Sequence, residues 1–216
     1  MLTDIVLPKN NEAEFIQIAL KLKLKKIYFL YDFNDYYKDE IQKKMQEFEN
    51  NKHIVIGTGF IVNHKNFNQA WQKSKLLVAK SSDKDRFLME SKKIKIIYGF
   101  EDVSRKDRLS QRASWLNHTI CELANENKVH IGFTYGPLLN KSGRAASLII
   151  GRMMQNISLC QKYKTRILIA SFANNPFQMR SSHDISSLFN LFGMSREYCK
   201  GRFDTSLQIY RDADSF

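Results

Sequence analysis

Proline and glycine are scarce in this chain, three and nine among 216 residues, and no stretch rich in them interrupts it. That absence excludes a flexible linker and leaves no place for a domain boundary. Residues 1–216 are therefore expected to form one domain, long enough to bury a substantial core without disulfides or metal. Cysteine is scarcer still: Cys121, Cys160 and Cys199 are odd in number and widely spaced. A disulfide framework or a zinc cage needs closer or paired spacings, so the three read as small buried hydrophobes in a reduced intracellular setting. No apolar run approaches the roughly 18 residues a membrane helix requires, and Asp4 and Pro8 interrupt the start where a signal peptide would lie. The expectation is a soluble, cytoplasmic protein.

Acidic residues are also in short supply. With 34 Lys and Arg against 22 Asp and Glu, the formal net charge is +12, which repels itself unless a polyanion neutralises it. Nucleic acid is the leading candidate, ahead of a membrane surface. Of 11 arginines, only Arg86 precedes residue 105, whereas 17 of 23 lysines do. Arginine's planar fork holds phosphate oxygens bidentately and stacks on bases, while lysine on a surface helix is commonly a solvated point charge. The nucleic-acid face therefore belongs to the second half. The runs Lys21, Lys23, Lys25, Lys26 and Lys92, Lys93, Lys95 read as solubilising.

Short β-rich runs alternate with helical patterns along the chain. The runs are Asp4 to Leu7, Ile27 to Tyr31, Ile54 to Ile56, Leu76 to Ala79, Ile94 to Tyr98, Val129 to Tyr135 and Arg166 to Ser171. Helices are expected at Glu12 to Leu22, Asp35 to Phe48, Ser110 to Asn125, Gly143 to Lys162 and Ser182 to Phe192, with a last short pair between Arg196 and Phe216. Repeated βα units predict an α/β fold with parallel strands, a single TIM-like (β/α) barrel that is small and irregular, with one strand of the usual eight hard to place.

In such a fold the loops leaving the carboxyl ends of strands carry function. The stretch from Thr165 to Gly193 reads as strand, loop and helix: Asn174, Asn175 and Pro176 break the strand, Ser181 or Ser182 starts the helix, Asp184 lies in its first turn, and Gly193 stops it. Its apolar stripe is expected at Ile185, Leu188, Leu191 and Phe192. Arg180 sits beside the helix start, a setting suited to phosphate. Lys141 and Arg144 follow the strand ending at Tyr135. Arg105, Arg108 and Arg112, if helical, share one face beside the stripe Leu109, Ala113, Leu116, Ile120 and Leu123. These six basic residues, Arg105, Arg108, Arg112, Lys141, Arg144 and Arg180, are the candidate RNA contacts, converging on one rim.

Catalytic patterns are missing. His53, His64, His118, His130 and His183 form no His-x-His pair and no His-Glu-x-x-His spacing, so no metal site is assigned. Gly57-Thr58-Gly59 has two glycines of a dinucleotide loop but Val62 in place of the third. The aromatic cluster Tyr28, Phe29, Tyr31, Phe33, Tyr36 and Tyr37 reads as core. No serine or cysteine nucleophile has a recognisable base beside it, and no catalytic residue is assigned.

Three blocks, Gln111 to Asn127, Val129 to Ala146 and Ile167 to Gly193, together resemble the third protein component of archaeal ribonuclease P, the relatives of the eukaryotic thirty-kilodalton subunit. The combination that carries the resemblance is Leu116-Asn117 in a helix, Pro137-Leu138-Leu139 after a strand, and Arg180-Ser181 with Asp184. It covers most of the chain from about residue 94 onward. The resemblance implies a barrel related to metal-dependent phosphoesterases of the polymerase and histidinol phosphatase type. It also implies a non-catalytic subunit of an endoribonuclease holoenzyme, working with ribonuclease P RNA and precursor tRNA. A small partner subunit, component 2, would join it as a heterodimer or heterotetramer. No cofactor is expected on this chain, magnesium belonging to the RNA. Two departures stand out. The phosphoesterase relatives end their first strand in a His-x-His ligand pair, where this chain has Asp4-Ile5-Val6-Leu7-Pro8. Phe172 and Asn174 stand where glycine and histidine are common among relatives. The alternative reading is a stand-alone metal-dependent phosphoesterase on the same barrel.

Overall fold

The computed structural model describes residues 3–35, 41, 54–102, 106–107 and 112–194. Seven strands form one parallel sheet in sequence order: β1 (Thr3–Val6), β2 (Lys26–Asp32), β3 (Val55–Val62), β4 (Leu77–Lys80), β5 (Ile96–Tyr98), β6 (His130–Thr134) and β7 (Ile167–Ala170). Helices α1 (Glu12–Lys21), α2 (Phe67–Trp71), α3 (Asp85–Glu90), α4 (His118–Glu126), α5 (Gly136–Leu139), α6 (Gly143–Lys162) and α7 (Ser182–Leu191) occupy the connections and follow β7. The small TIM-like barrel expected from the alternation is the fold observed, and every apolar run singled out above overlaps one of its strands, although β3 continues six residues beyond the run Ile54 to Ile56.

Alternation along each strand divides the core into two layers. Ile27, Phe29 and Tyr31 of β2 face outward and pack in one cluster with Phe15 and Ala19 of α1. Tyr28 and Leu30 point inward and join Ile5, Val78, Ile96, Tyr98, Leu168 and Ala170 inside the barrel. The interior is filled by side chains. Gly57 and Gly59, which could suggest a phosphate loop, lie within β3 and make room for that filling. A Cβ at Gly57 would stand 2.1 Å from the Tyr28 ring, and one at Gly59 would stand 2.6 Å from Leu76 Cγ.

Seven strands must close a ring usually made of eight, and the seam between β7 and β1 is irregular. Its backbone bonds run from Leu7 N to Ala173 O at 2.7 Å and from Phe172 N to Ile5 O at 2.8 Å. Side chains add to these: Asp4 Oδ1 accepts from Ser171 N at 2.7 Å and from Ile5 N at 2.8 Å, and Ser171 Oγ donates to Ile5 O at 3.2 Å. Asp4 is 1% exposed, and burial pushes its carboxyl up to about 6 against the opposing hydrogen bonds from Ser171 and Ile5. At the head of the stretch that lacks the histidine pair, this residue closes the barrel.

The shortage of glycine shows at helix ends. Lys23, Lys92, Lys128 and Lys164, which follow α1, α3, α4 and α6, have φ of 57°, 59°, 56° and 53°, the left-handed conformation that glycine normally supplies. A positive charge at a helix carboxyl end offsets part of that strain. Gly193, with φ of 94°, ends α7 as its sequence predicts.

Several expectations are corrected. The helix expected from Ser110 starts at His118, because the Asn117 side chain accepts from Ile120 N at 3.0 Å and caps it there. Ala113, expected on its stripe, is outside any helix, and Leu109 lies outside the described residues. On α7 the buried positions are Ile185 and Phe189, with Phe192 just beyond its end, while Leu191 is 76% exposed. The α7 stripe is therefore rotated by one position. Cys121 and Cys160 are buried and not disulfide-bonded, and Tyr28, Phe29, Tyr31 and Phe33 are core. Cys199, His53, Tyr36, Tyr37, the segment Arg196 to Phe216 and almost all of the helix expected at Asp35 to Phe48 lie outside the described residues.

Candidate nucleic-acid interface

Parallel strands all end on one face, and the loops leaving β5, β6 and β7 there carry the basic candidates. After β5, Gly99 turns the chain with φ of 85° and a 3-10 turn follows at Phe100–Asp102. Glu101 is fully buried beneath this turn, and burial together with the neighbouring Asp102 charge pushes its carboxyl up to about 7. Asp102 faces outward and pairs with Lys141 of the β6 loop. The exits of β6 and β7 are joined by Thr134, whose hydroxyl donates to Ser171 O at 2.7 Å and accepts from Gly136 N at 3.1 Å.

Each candidate is placed differently. Arg144 is exposed in the first turn of α6. Lys141 is exposed and linked to Asp102 by an ion pair that water can readily replace. Arg180 is half-buried, and its Nη1 donates to Phe177 O at 2.7 Å and to Met179 O at 2.8 Å, so it first braces its own loop. That loop ends in the expected cap: Ser181 Oγ accepts from Asp184 N at 3.2 Å and donates to Asp184 Oδ2 at 2.8 Å. Arg112 is exposed but sits lower on the barrel wall, its guanidinium against Gly151, eight residues into α6 and about 12 Å along the helix axis from its start. The expected ridge of Arg105, Arg108 and Arg112 on one helical face does not exist at Arg112, which precedes α4 in irregular chain. Arg105 and Arg108 lie outside the described residues.

Two aromatic residues escape a reading based on charge and periodicity. Trp115, between β5 and α4, is 41% exposed, and Phe177, at the tip of the β7 loop, is 75% exposed. Their signal is an aromatic ring in a loop, outside any apolar stripe. Exposed rings beside arginines are the surface on which unpaired bases stack. Trp115 also borders a groove of about 350 Å³ shared with Arg86 and Asn117.

The mouth of the barrel itself is closed. Tyr98, at the end of β5, and Phe172, just past β7, stack with ring centroids 4.1 Å apart. Among the described residues, no three His, Cys, Asp or Glu side chains converge on a point where a metal could be held. Of the histidines, His130 is buried in β6, while His64, His118 and His183 are exposed and far apart in sequence.

The profile of the RNase P subunit p30 family matches residues 102–213, a little over half of the chain. The chain belongs to that family. Every arginine except Arg86 falls inside the matched stretch. Ribonuclease P protein component 3 of Methanocaldococcus jannaschii is 28% identical over 115 residues, 51% of this chain and 48% of that protein. Its counterpart in Methanococcus maripaludis strain C5 is 25% identical over 162 residues, 73% of this chain and 68% of that protein. The matched stretches thus span 48% and 68% of the length of these two relatives. A chain in the cryo-EM structure of archaeal ribonuclease P with mature tRNA superposes with a TM-score of 0.79 at 19% identity, covering 97% of this chain and 91% of that one, which shows a shared fold.

Proposed function

We propose that this chain is a non-catalytic protein subunit of ribonuclease P that neutralises phosphates of the catalytic RNA and so supports removal of the 5′ leader from precursor tRNA. The contacts are Arg105, Arg108, Arg112, Lys141, Arg144 and Arg180. Ribonuclease P RNA and precursor tRNA are the nucleic-acid partners. The small component 2 subunit is the protein partner, in a heterodimer or heterotetramer, and the setting is cytoplasmic. Magnesium belongs to the RNA, and the chain carries no cofactor.

The observation that carries this reading is the pairing of a basic band with a filled barrel. Lys141, Arg144 and Arg180 follow β6 and β7 at one end, Arg112 of the segment after β5 lies lower on the wall beside α6, and the place where a hydrolytic barrel would hold substrate is occupied by the Tyr98 and Phe172 rings. The stacked rings tell against the stand-alone phosphoesterase, because water activation at a metal needs an open, ligand-lined mouth. Membership of the p30 family and the likeness to a chain of an archaeal ribonuclease P structure support the same assignment.

Reconstitution tests it. Precursor tRNA is incubated with ribonuclease P RNA at limiting magnesium, with and without this protein and its small partner. Cleavage should rise only when the protein pair is present. Cleavage unaffected by the pair, or phosphate release from small esters by the protein alone, would overturn the assignment.

A further inference from the structure

One face of α6 grips the arginine-bearing segment between β5 and α4 at several points. Arg152 is 1% exposed, an unusual burial for a guanidinium. Its Nε donates to Asp107 Oδ1 at 2.7 Å and its Nη1 to Glu101 O at 3.0 Å. The same Asp107 oxygen accepts from Ala113 N at 2.8 Å, so one buried cation fixes the segment near residues 101, 107 and 113. Four residues along α6, Asn156 Oδ1 lies 2.8 Å from Ser114 Oγ, which also lies 3.3 Å from Phe100 O. One residue before Arg152, Gly151 leaves a gap that the Arg112 guanidinium fills. A Cβ there would stand 1.8 Å from Arg112 Nη1 and 2.5 Å from its Cζ.

We infer that Gly151, Arg152 and Asn156 of α6, with Asp107 as their counterpart, are positioning residues that hold the β5–α4 segment and aim Arg112 at RNA. The inference rests on the proposed RNA-binding role and names the residues that shape it. A buried ion pair adds little net stability compared with an apolar pair of the same shape, because desolvation offsets the attraction. What it does supply is a single conformation. Here that conformation belongs to Glu101, Asp107 and Arg112 to Ser114, the described anchor points of the long connection between β5 and α4, and connections of this length in compact domains are commonly functional. Asp107 stays charged in this setting. Although burial raises its carboxyl, the Ala113 amide and the Arg152 guanidinium outweigh burial and hold it below the ordinary range.

The Gly151→Ala variant separates positioning from folding. The atoms a Cβ would meet at Gly151 are all in the Arg112 guanidinium, the far end of a flexible side chain, and alanine favours a helix interior over glycine. Affinity for ribonuclease P RNA and its salt dependence are measured for the wild type, Gly151→Ala, Arg112→Ala and the double variant, alongside Tm. Gly151→Ala should weaken binding and lower the salt slope by about 1, as Arg112→Ala does, with Tm unchanged or raised. The double variant should lose no more than either single one. Arg152→Lys, which cannot span both acceptors, should also lower the slope. Wild-type affinity in Gly151→Ala while Arg112→Ala is weakened would overturn the positioning role alone. Wild-type affinity in Arg112→Ala would remove the RNA contact and the positioning role with it, and a wild type that does not bind RNA would overturn the functional assignment itself.

Discussion

The rings of Tyr98 and Phe172 lie parallel to within 3° across the carboxyl-terminal mouth of the barrel. Phe172 reaches this stack with φ of 45°, a backbone conformation that an aromatic residue rarely adopts. The strained position and the filled mouth are therefore linked. Phe172→Ala removes the ring and keeps the strain, at a cost of about 3 kcal/mol. Phe172→Gly removes both and recovers on the order of 1 kcal/mol of strain. Urea denaturation should rank glycine above alanine, the reverse of the usual order. Alanine equal to or above glycine would show that the backbone there is unstrained.

Three buried carboxyls give stability a pH dependence. Burial pushes Asp4 and Asp85 up to about 6 and Glu101 up to about 7. In the unfolded chain such groups titrate near 4 (about 3.9 for Asp, about 4.3 for Glu), so between about pH 4 and 7 the folded state binds more protons. Stability falls as pH rises through that window, with the loss absent below about pH 4 and complete above about pH 7. Tm should therefore rise between pH 8 and pH 5.5. Glu101→Gln should stabilise the protein at pH 8 by about 2 kcal/mol and flatten the profile. The carboxyls of Asp107 and Asp184 are held low and lose their contribution only at more acid pH. A Tm that falls on acidification to pH 5.5 would contradict this account.

Arg180 and Arg144 are both candidate contacts but differ in what else they do. Because Arg180 also binds two carbonyls of its own loop, Arg180→Ala should cost about 1–2 kcal/mol of stability as well as RNA affinity. Arg144→Ala should lower the salt slope of RNA binding by about 1 and leave Tm in place. Equal thermal effects of the two substitutions would show that the Arg180 brace contributes nothing.

The lysines that end α4 and α6 are open to improvement. Lys128→Gly and Lys164→Gly relieve a left-handed backbone conformation that a residue with a Cβ disfavours and lose a small helix-dipole attraction, for a net gain of about 0.5 kcal/mol each. Thermal unfolding of each variant checks this, and a lower Tm would show that the charge outweighs the strain.

The strands are legible in the sequence because their apolar runs are short, β-branched and separated by helical patterns, and helix α6 is legible to its ends because Gly143 and Lys162 bound a clear amphipathic period. The start of α4 is not legible. Leu109, Ala113 and Leu116 continue its apolar spacing upstream in the sequence, but Asp107 and Asn156 take up the groups at Ala113 and Ser114 and hold these two residues out of the helix. These are contacts across 6 and 42 residues of sequence, which no local pattern displays. The arginine surplus indicates a nucleic-acid face, yet it cannot separate Arg112 and Arg144, which face solvent, from Arg152, which is buried as an anchor. Trp115 and Phe177 escape notice for a related reason: exposure of a single ring depends on what packs around the loop.

The central claim is that this basic band binds RNA through its phosphates, and the salt dependence of that binding tests it most directly. With about six phosphates neutralised, the logarithm of the association constant for ribonuclease P RNA should fall against the logarithm of salt concentration with a slope of about −4 to −5. A slope near zero would contradict the account.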